Sequence, residues 1–248
     1  MYSSLAAPNR TDPGPAFSLV REGETLESLF AAQPSETFAS GQAVFWEGDA
    51  SSHLFQLTEG CLRLYRILSD GRRAVTGFVF PGESLGVSFQ GPHLYTAEAV
   101  TPVRLNRLSL SRLYAAVDAS VHLRQQLLAR MYRDMSAAQH LIILLGQLSA
   151  EERVASFLLS AGRRSGADRS RPLTIDLPMS RLDIADYLGL TIETVCRVFS
   201  KFKRDGLIAL EGRQRIVLRH PAALQALAGG GGEDSGEAKS VRLTARAH

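Results

Sequence analysis

The run SVHLRQQLLARMYRDMSAAQHLIILLGQL, residues 120–148, constrains the fold more than any other part of the chain. Leu123, Leu127, Met131, Met135 (or Asp134), Ala138, Ile142 and Leu145 recur three or four residues apart. That period marks one face of an α-helix, and its length gives a seam close to that of a coiled coil. A helix can cover such a face by packing on its own domain. One this long, following a compact domain, is better satisfied by a second copy of itself. The expectation is a dimerisation helix over residues 118–147, with Leu123, Leu127, Met131, Met135, Ala138 and Ile142 at the interface.

Ahead of that helix the period is different. From about Phe38 to Arg107 the apolar residues come in short runs divided by turn formers. CLRLYRILSDGRRAVTGFVF sets two runs around Asp70-Gly71, a hairpin signal. FPGESLG and QGPH add further turns. Many short strands at this spacing fit a sandwich, jelly roll or barrel. Residues 23–117 are therefore read as a β domain, and residues 1–22, rich in Pro, Gly and Ser, as a flexible arm.

A chain of 248 residues suits two modest domains, and 45% apolar with 21% charged residues is an ordinary globular composition. No apolar run approaches a membrane span, and the N-terminus lacks the basic start and apolar stretch of a secretory signal. The two cysteines, Cys61 and Cys196, argue against a disulfide framework or a multi-cysteine zinc site and fit a reducing cytoplasm. There is no phosphate-binding glycine loop, metal-ligand cluster or nucleophile motif to suggest an enzyme. The net charge of +3 is uneven: residues 149–220 hold thirteen Lys and Arg against nine Asp and Glu, while the preceding residues hold twelve against thirteen. A basic excess there fits a solvated surface or a nucleic-acid partner.

The stretch MSRLDIADYLGLTIETVCRVFSKFKRDGLIALEGRQRIVL decides between the two. Ser180, with Asp183 three residues on, can cap a short helix over Arg181–Leu188 whose apolar face is Ile184, Ala185 and Leu188. Gly189 supplies the turn, and Thr191 can cap the next helix, Ile192 to Asp205. Val195, Val198, Phe199 and Phe202 form the buried stripe of that helix, and Gly206 is placed to end it. LIALEGRQRIVLRH then alternates around Glu211-Gly212 as a hairpin would. This is a winged helix-turn-helix over residues 148–220, preceded by a capping box at Ser149 and Glu152 and followed by a glycine-rich tail over 221–248. The second helix turns Glu193, Arg197, Lys201 and Arg204 outward. Such a helix can enter the major groove, where an arginine fork matches guanine and a carboxylate accepts from cytosine N4. On a purely solvated helix, Glu193 and Arg197 would simply pair with each other.

The order of β domain, long helix and DIADYLGLTIETVCRVFSKFKRDGLI resembles the cyclic-AMP receptor protein / FNR family of bacterial transcription regulators, and LPMSRLDIADYLGLTIETVCR is most similar to its FixK-like branch. The resemblance implies an α+β chain with an N-terminal β-roll (a cyclic-nucleotide-binding-like jelly roll), a long dimerisation helix and a C-terminal winged helix-turn-helix. It implies base contacts by Glu193 and Arg197, with Ile192 against a thymine methyl. Ser180, Arg181, Thr191 and Thr194 match positions that approach phosphates, and Lys201 and Arg213 stand near them. The implied target is double-stranded DNA with TTG-like half-sites in an inverted repeat, bound by a homodimer that activates through RNA polymerase. A ligand-binding sensor whose C-terminal module binds a protein partner is the other reading.

What the β domain senses is a separate question. In the cyclic-AMP branch an Arg-Ser pair and a Glu after PGE hold the cyclic phosphate and ribose, yet Gly82–Val100 has no Arg or Lys, and HLYTAEA stands where the pair should be. A phosphate buried without a cation is costly. An FNR-type iron-sulfur cluster needs four cysteines, which this chain lacks. His53 and His93 are the candidates for a haem. The expectation is no cofactor. Cys196, beside Arg197, is either a small residue at a tolerant position or a redox switch that peroxide would oxidise.

Overall fold

The computed structural model describes residues 25–86, 91–164, 173–212 and 214–229. Eight strands form the N-terminal domain: β1 (Ser35–Phe38), β2 (Ala43–Phe45), β3 (His53–Glu59), β4 (Leu62–Ile67), β5 (Arg73–Val79), β6 (Ser84–Leu85), β7 (Thr96–Ala99) and β8 (Val103–Ser109). They make two antiparallel sheets, ordered β1-β8-β3-β6 and β2-β7-β4-β5. That is the double-sheet arrangement of a jelly roll, which answers the choice the sequence left open. Phe45, Phe55, Leu57, Leu62, Val79, Leu85, Ala97, Ala99, Val103 and Leu105 fill the space between the sheets. Along β8, Val103 and Leu105 face the space between the sheets, while Leu108 is buried on the opposite face. The Asp70-Gly71 hairpin joins β4 to β5 with Gly71 at φ 82.

Two helices in the N-terminal half escape the sequence reading. α1 (Leu26–Ala31) starts on a capping box of Thr25 and Ser28, and α2 (Leu110–Ala119) starts on Ser109. With Leu54 and Leu108 of the roll they build a second core. The long helix follows as α3 (Val121–Gln147), capped by Ser120. Its first turns enter that second core: Leu123 is wholly buried and Leu127 nearly so.

This corrects the seam expected for dimerisation. Leu123 and Leu127 are claimed by α1 and α2 of their own chain. The apolar stripe left open carries Val121, Leu128, Met135 and Ile142 at seven-residue intervals, with Met131 and Ala138 between them and Leu145 after them. Met131, Met135, Ala138 and Ile142 are common to both readings. A seven-residue spacing tracks one side of the helix, whereas the row from Leu123 turns onto it from the neighbouring side.

The C-terminal domain comprises α4 (Ala150–Arg164), β9 (Leu173–Asp176), α5 (Arg181–Leu188), α6 (Ile192–Arg204), β10 (Ile208–Glu211), β11 (Arg215–Leu218) and α7 (Pro221–Leu227). The strands form one antiparallel sheet ordered β10-β11-β9. α7 is a second correction, because the tail was expected to begin at Pro221. Proline opens the helix and Leu224, fully buried, packs it on the domain core. The flexible arm over 1–22, Arg213 and the tail from residue 230 lie outside the described residues.

Among the described residues no helix is long and apolar enough to cross a membrane, and no group of His, Cys, Asp or Glu could hold a metal ion.

Candidate nucleic-acid interface

The helix-turn-helix forms as its residues dictate. Ser180 Oγ accepts from the Asp183 N–H at 3.1 Å, and Asp183 Oδ2 accepts from the Ser180 N–H at 3.0 Å, a reciprocal capping box. Gly189 ends α5 in the left-handed region, φ 61 and ψ 40, and its N–H reaches the Ala185 carbonyl. A side chain there would be strained, so glycine sets the angle between α5 and α6. Thr191 caps α6 by accepting from the Thr194 N–H at 3.2 Å. Val195, Val198, Phe199 and Phe202 are buried in the domain core as the sequence implied. Burying them contributes roughly 1.5–3 kcal/mol each, which fixes the rotation of α6 and so decides what faces outward.

Ile192, Glu193, Cys196, Arg197, Lys203 and Arg204 are on the exposed side. Glu193 and Arg197 stand one turn apart. The structure contains no ion pair between them among the described residues; Arg197 instead donates to Thr194 Oγ1 at 3.3 Å. The backbone N–H of Glu193 and the Thr191 hydroxyl hold the Glu193 carboxyl below the usual glutamate range. It is therefore an acceptor at neutral pH, as a partner for a cytosine amino group must be. Ser180 and Thr191 are exposed at the starts of α5 and α6, where N–H groups and the helix dipole favour an anion.

Two expected phosphate contacts are occupied within the chain. Lys201 Nζ lies 2.6 Å from both carboxylate oxygens of Glu151 on α4. The Arg181 guanidinium stacks over the Phe199 ring, 3.6 Å from its centroid, and braces α5 against α6. Arg204 is close to Asp205, at 3.6 Å, and largely exposed.

Residues that the sequence did not single out orient the module. Arg153 on α4 donates to the carbonyls of Leu145, Leu148 and Leu188, each at 2.9 Å. It thereby ties the last turn of α3 to the end of α5, using carbonyls that a helix end leaves unpaired. An arginine in the first turn of a helix gives no such signal in sequence, since its partners are backbone atoms of other elements.

The interior of the roll is filled by its own side chains. The His93 ring stacks on Phe45 with centroids 3.7 Å apart, and Phe55 and Tyr95 close around Phe45. Burial lowers the His93 pKa from the ordinary histidine value. His53 pairs with the Ser52 hydroxyl at 2.8 Å. Glu83 of the PGE turn accepts from the Phe80 N–H at 2.9 Å and pairs with Arg164 of α4. Arg130 of α3 reaches β6, donating to Ser84 Oγ at 3.0 Å and to the Ser84 carbonyl at 2.6 Å.

Comparison with known proteins covers both halves. The Crp-like helix-turn-helix domain matches residues 152–227, and the cyclic nucleotide-binding domain matches residues 35–120. The nitrogen fixation regulation protein FixK of Bradyrhizobium diazoefficiens is 41% identical over 217 residues, which is 84% of this chain and 91% of that protein. The transcriptional activator protein FnrL of Cereibacter sphaeroides is 33% identical over 212 residues, 84% of this chain and 86% of that one. The solved structure of FixK2 from Bradyrhizobium japonicum matches with a TM-score of 0.74 and 34% identity, over 79% of this chain and 96% of that one. The jelly roll, the long helix and the winged helix-turn-helix are thus shared in order as well as in kind, and the chain belongs to the CRP/FNR family of transcription regulators as a FixK-like member.

Proposed function

We propose that the chain is a homodimeric transcription activator that reads an inverted repeat with TTG-like half-sites through α6. The observation that carries this reading is the pair Glu193 and Arg197, exposed one turn apart on a helix whose opposite side is anchored by Val195, Val198, Phe199 and Phe202. A carboxylate that approaches phosphates must find a donor to be tolerated, and the cytosine amino group is that donor in the major groove. Arg197 adds a fork suited to guanine, and Ile192, partly exposed beside them, suits a thymine methyl. The open stripe on α3 supports dimerisation, because an apolar row of this length on one helix is covered by its two-fold copy. The dimer works in the cytoplasm and activates through RNA polymerase.

The regulator acts without an iron-sulfur cluster, haem or cyclic nucleotide. The roll supports that reading: His93 is packed against Phe45, and Glu83 and Arg130 are already engaged by Arg164 and Ser84. A cyclic phosphate would find no Lys or Arg among the described residues from Gly82 to Val100. Cys196, exposed beside Arg197, gives a route for redox control. Peroxide oxidises the thiol to a sulfenic acid at the groove and lowers DNA affinity, and Cys196→Ser removes that sensitivity.

Titration of a duplex carrying the inverted repeat tests the reading. Binding weakens steeply as salt is raised, and the inverted repeat outcompetes an unrelated duplex by about a thousandfold or more. Equal affinity for both duplexes contradicts it.

A further inference from the structure

The first helix of the reading module is fastened to the β-roll by side chains, independently of the α3–α4 connection. Arg63 of β4 and Arg73 of β5 converge on one oxygen of Asp183, at 2.7 and 2.8 Å. Arg63 also holds Glu98 at 2.6 Å, and Arg73 also holds Asp186 at 2.7 Å. Tyr65 lies beside both guanidinium groups, 5.8 and 6.0 Å from its ring centroid. A second fastening joins the end of α4 to the PGE turn, where Arg164 donates to Glu83 and to the Phe78 carbonyl and lies over the Phe80 ring. Between the two, Phe78 of β5 meets Tyr187 of α5 and Phe157 of α4 at centroid distances of 5.6 and 6.2 Å.

Charges this sheltered are costly to desolvate and are best attested for fixing geometry rather than for adding net stability. Asp183 is 3% exposed, and Arg63 Nε is buried with no acceptor. Arginine forks set both distance and angle, so two of them on neighbouring strands leave α5 little freedom to rotate. The fastening also leaves the reading face alone. It uses Asp183 and Asp186 on α5, while Ile192, Glu193 and Arg197 on α6 remain exposed. A contact that masked the reading face would have covered them.

We infer that Arg63, Arg73 and Glu83 are positioning residues for DNA recognition, which fix the tilt of each reading module so that the paired α6 helices fit half-sites at one spacing only. The inference rests on the dimeric DNA-reading function proposed above. In a two-fold assembly the separation of the α6 helices depends on the pairing of α3 and on the angle of each C-terminal domain to its own roll. Without the ion pairs, that angle is held by the Leu148-Ser149 joint, the Arg153 fork and the non-directional apolar packing around Phe78, and half-site spacing becomes more elastic.

The test compares the wild-type chain, Arg73→Lys and the double variant Arg73→Gln/Glu83→Gln on duplexes whose inverted repeat is lengthened or shortened by one base pair. Both glutamines lie on the roll, off the exposed face of α6 that would meet the bases. The wild-type chain prefers one spacing by about tenfold or more, since both half-sites must be engaged together. The double variant loses most of that preference and binds the best duplex about tenfold more weakly, because the ordering is now done at binding. Its affinity for a duplex with one half-site is unchanged, and Arg73→Lys, which keeps the charge, falls between. An unchanged spacing preference in the double variant overturns the inference, and so does tighter binding, which would mark the contact as inhibitory. A wild-type chain that binds none of the duplexes defeats the DNA-reading function instead. The positioning role is then still measured without DNA, by nitroxide labels on the exposed Cys196 of the two protomers. Electron-electron resonance gives a narrow distance distribution for the wild type and a broad one for the double variant; equal widths overturn the inference.

Discussion

Both carboxylate oxygens of Glu151 lie 2.6 Å from the ammonium of Lys201, so α4 holds a charge that the sequence of α6 offers to solvent. The outward charges of α6 are therefore unequal in what they can do. Lys201→Ala is expected to leave the salt dependence of DNA binding unchanged and to alter stability by less than about 1 kcal/mol, as a partly exposed ion pair does. Arg197→Ala is expected to cost about 1–3 kcal/mol on the preferred duplex and to blur its choice of base. Fluorescence anisotropy at several salt concentrations measures both. A salt slope lowered by about one for Lys201→Ala would return Lys201 to the phosphates.

The dimer is predicted to depend on the open stripe of α3 and not on its buried start. Ile142 is 71% exposed, and Ile142→Asp should yield monomers in sedimentation velocity at micromolar concentration. Leu127→Ala should leave the dimer intact while lowering the unfolding free energy by about 2–5 kcal/mol, the cost of a cavity in the chain's own core. The opposite pattern would restore the seam expected from sequence.

The two cysteines should react at very different rates. Cys196 is exposed, whereas burial pushes the Cys61 thiol up to about 12. A thiol reagent at pH 8 should modify one cysteine per chain rapidly and the second only on unfolding, since the thiolate is the nucleophile. Two fast thiols would contradict the packing of Cys61 between the roll and the helix-turn-helix core.

Acid should release the reading module from the roll. Burial would raise the Asp183 pKa, but the Ser180 bonds and then Arg63 and Arg73 outweigh it and hold the carboxyl below the ordinary aspartate range. A depressed native pKa contributes stability above the unfolded value and loses it as pH falls through the native one. The contact should therefore be intact at neutral pH and weaken only as pH falls below the ordinary aspartate range, with Asp186 and Glu98 facing the same guanidinium groups. Hydrogen exchange of α5 amides follows this, and α5 protection that stays flat until the whole C-terminal domain acid-unfolds would contradict it.

Local signals carried much of this architecture into the sequence. Ser180, Gly189 and Thr191 act on residues within four positions of themselves, so the helix-turn-helix was legible from spacing. The strands showed through their turns and alternation. α1 and α2 did not, because α1 has only six residues and α2 follows β8 directly, with no turn former between them. Leu123 and Leu127 share the period of the stripe beside them, and only the presence of α1 and α2 diverts them. Asp183 was legible as a cap, but its partners Arg63 and Arg73 are more than a hundred residues away and chosen by the fold. Separations of 81 and 50 residues likewise hid Glu83 from Arg164 and Glu151 from Lys201.

The central claim is that Glu193 and Arg197 read neighbouring bases in each half of a two-fold site. Selection of bound duplexes from a random pool, run in parallel with the wild-type chain, Glu193→Ala and Arg197→Ala, tests it most directly. The account predicts an inverted repeat for the wild type, with each variant erasing preference at one position in both half-sites and the two positions adjacent. Enrichment of no sequence by the wild type, or of the same sequence by all three proteins, would contradict it.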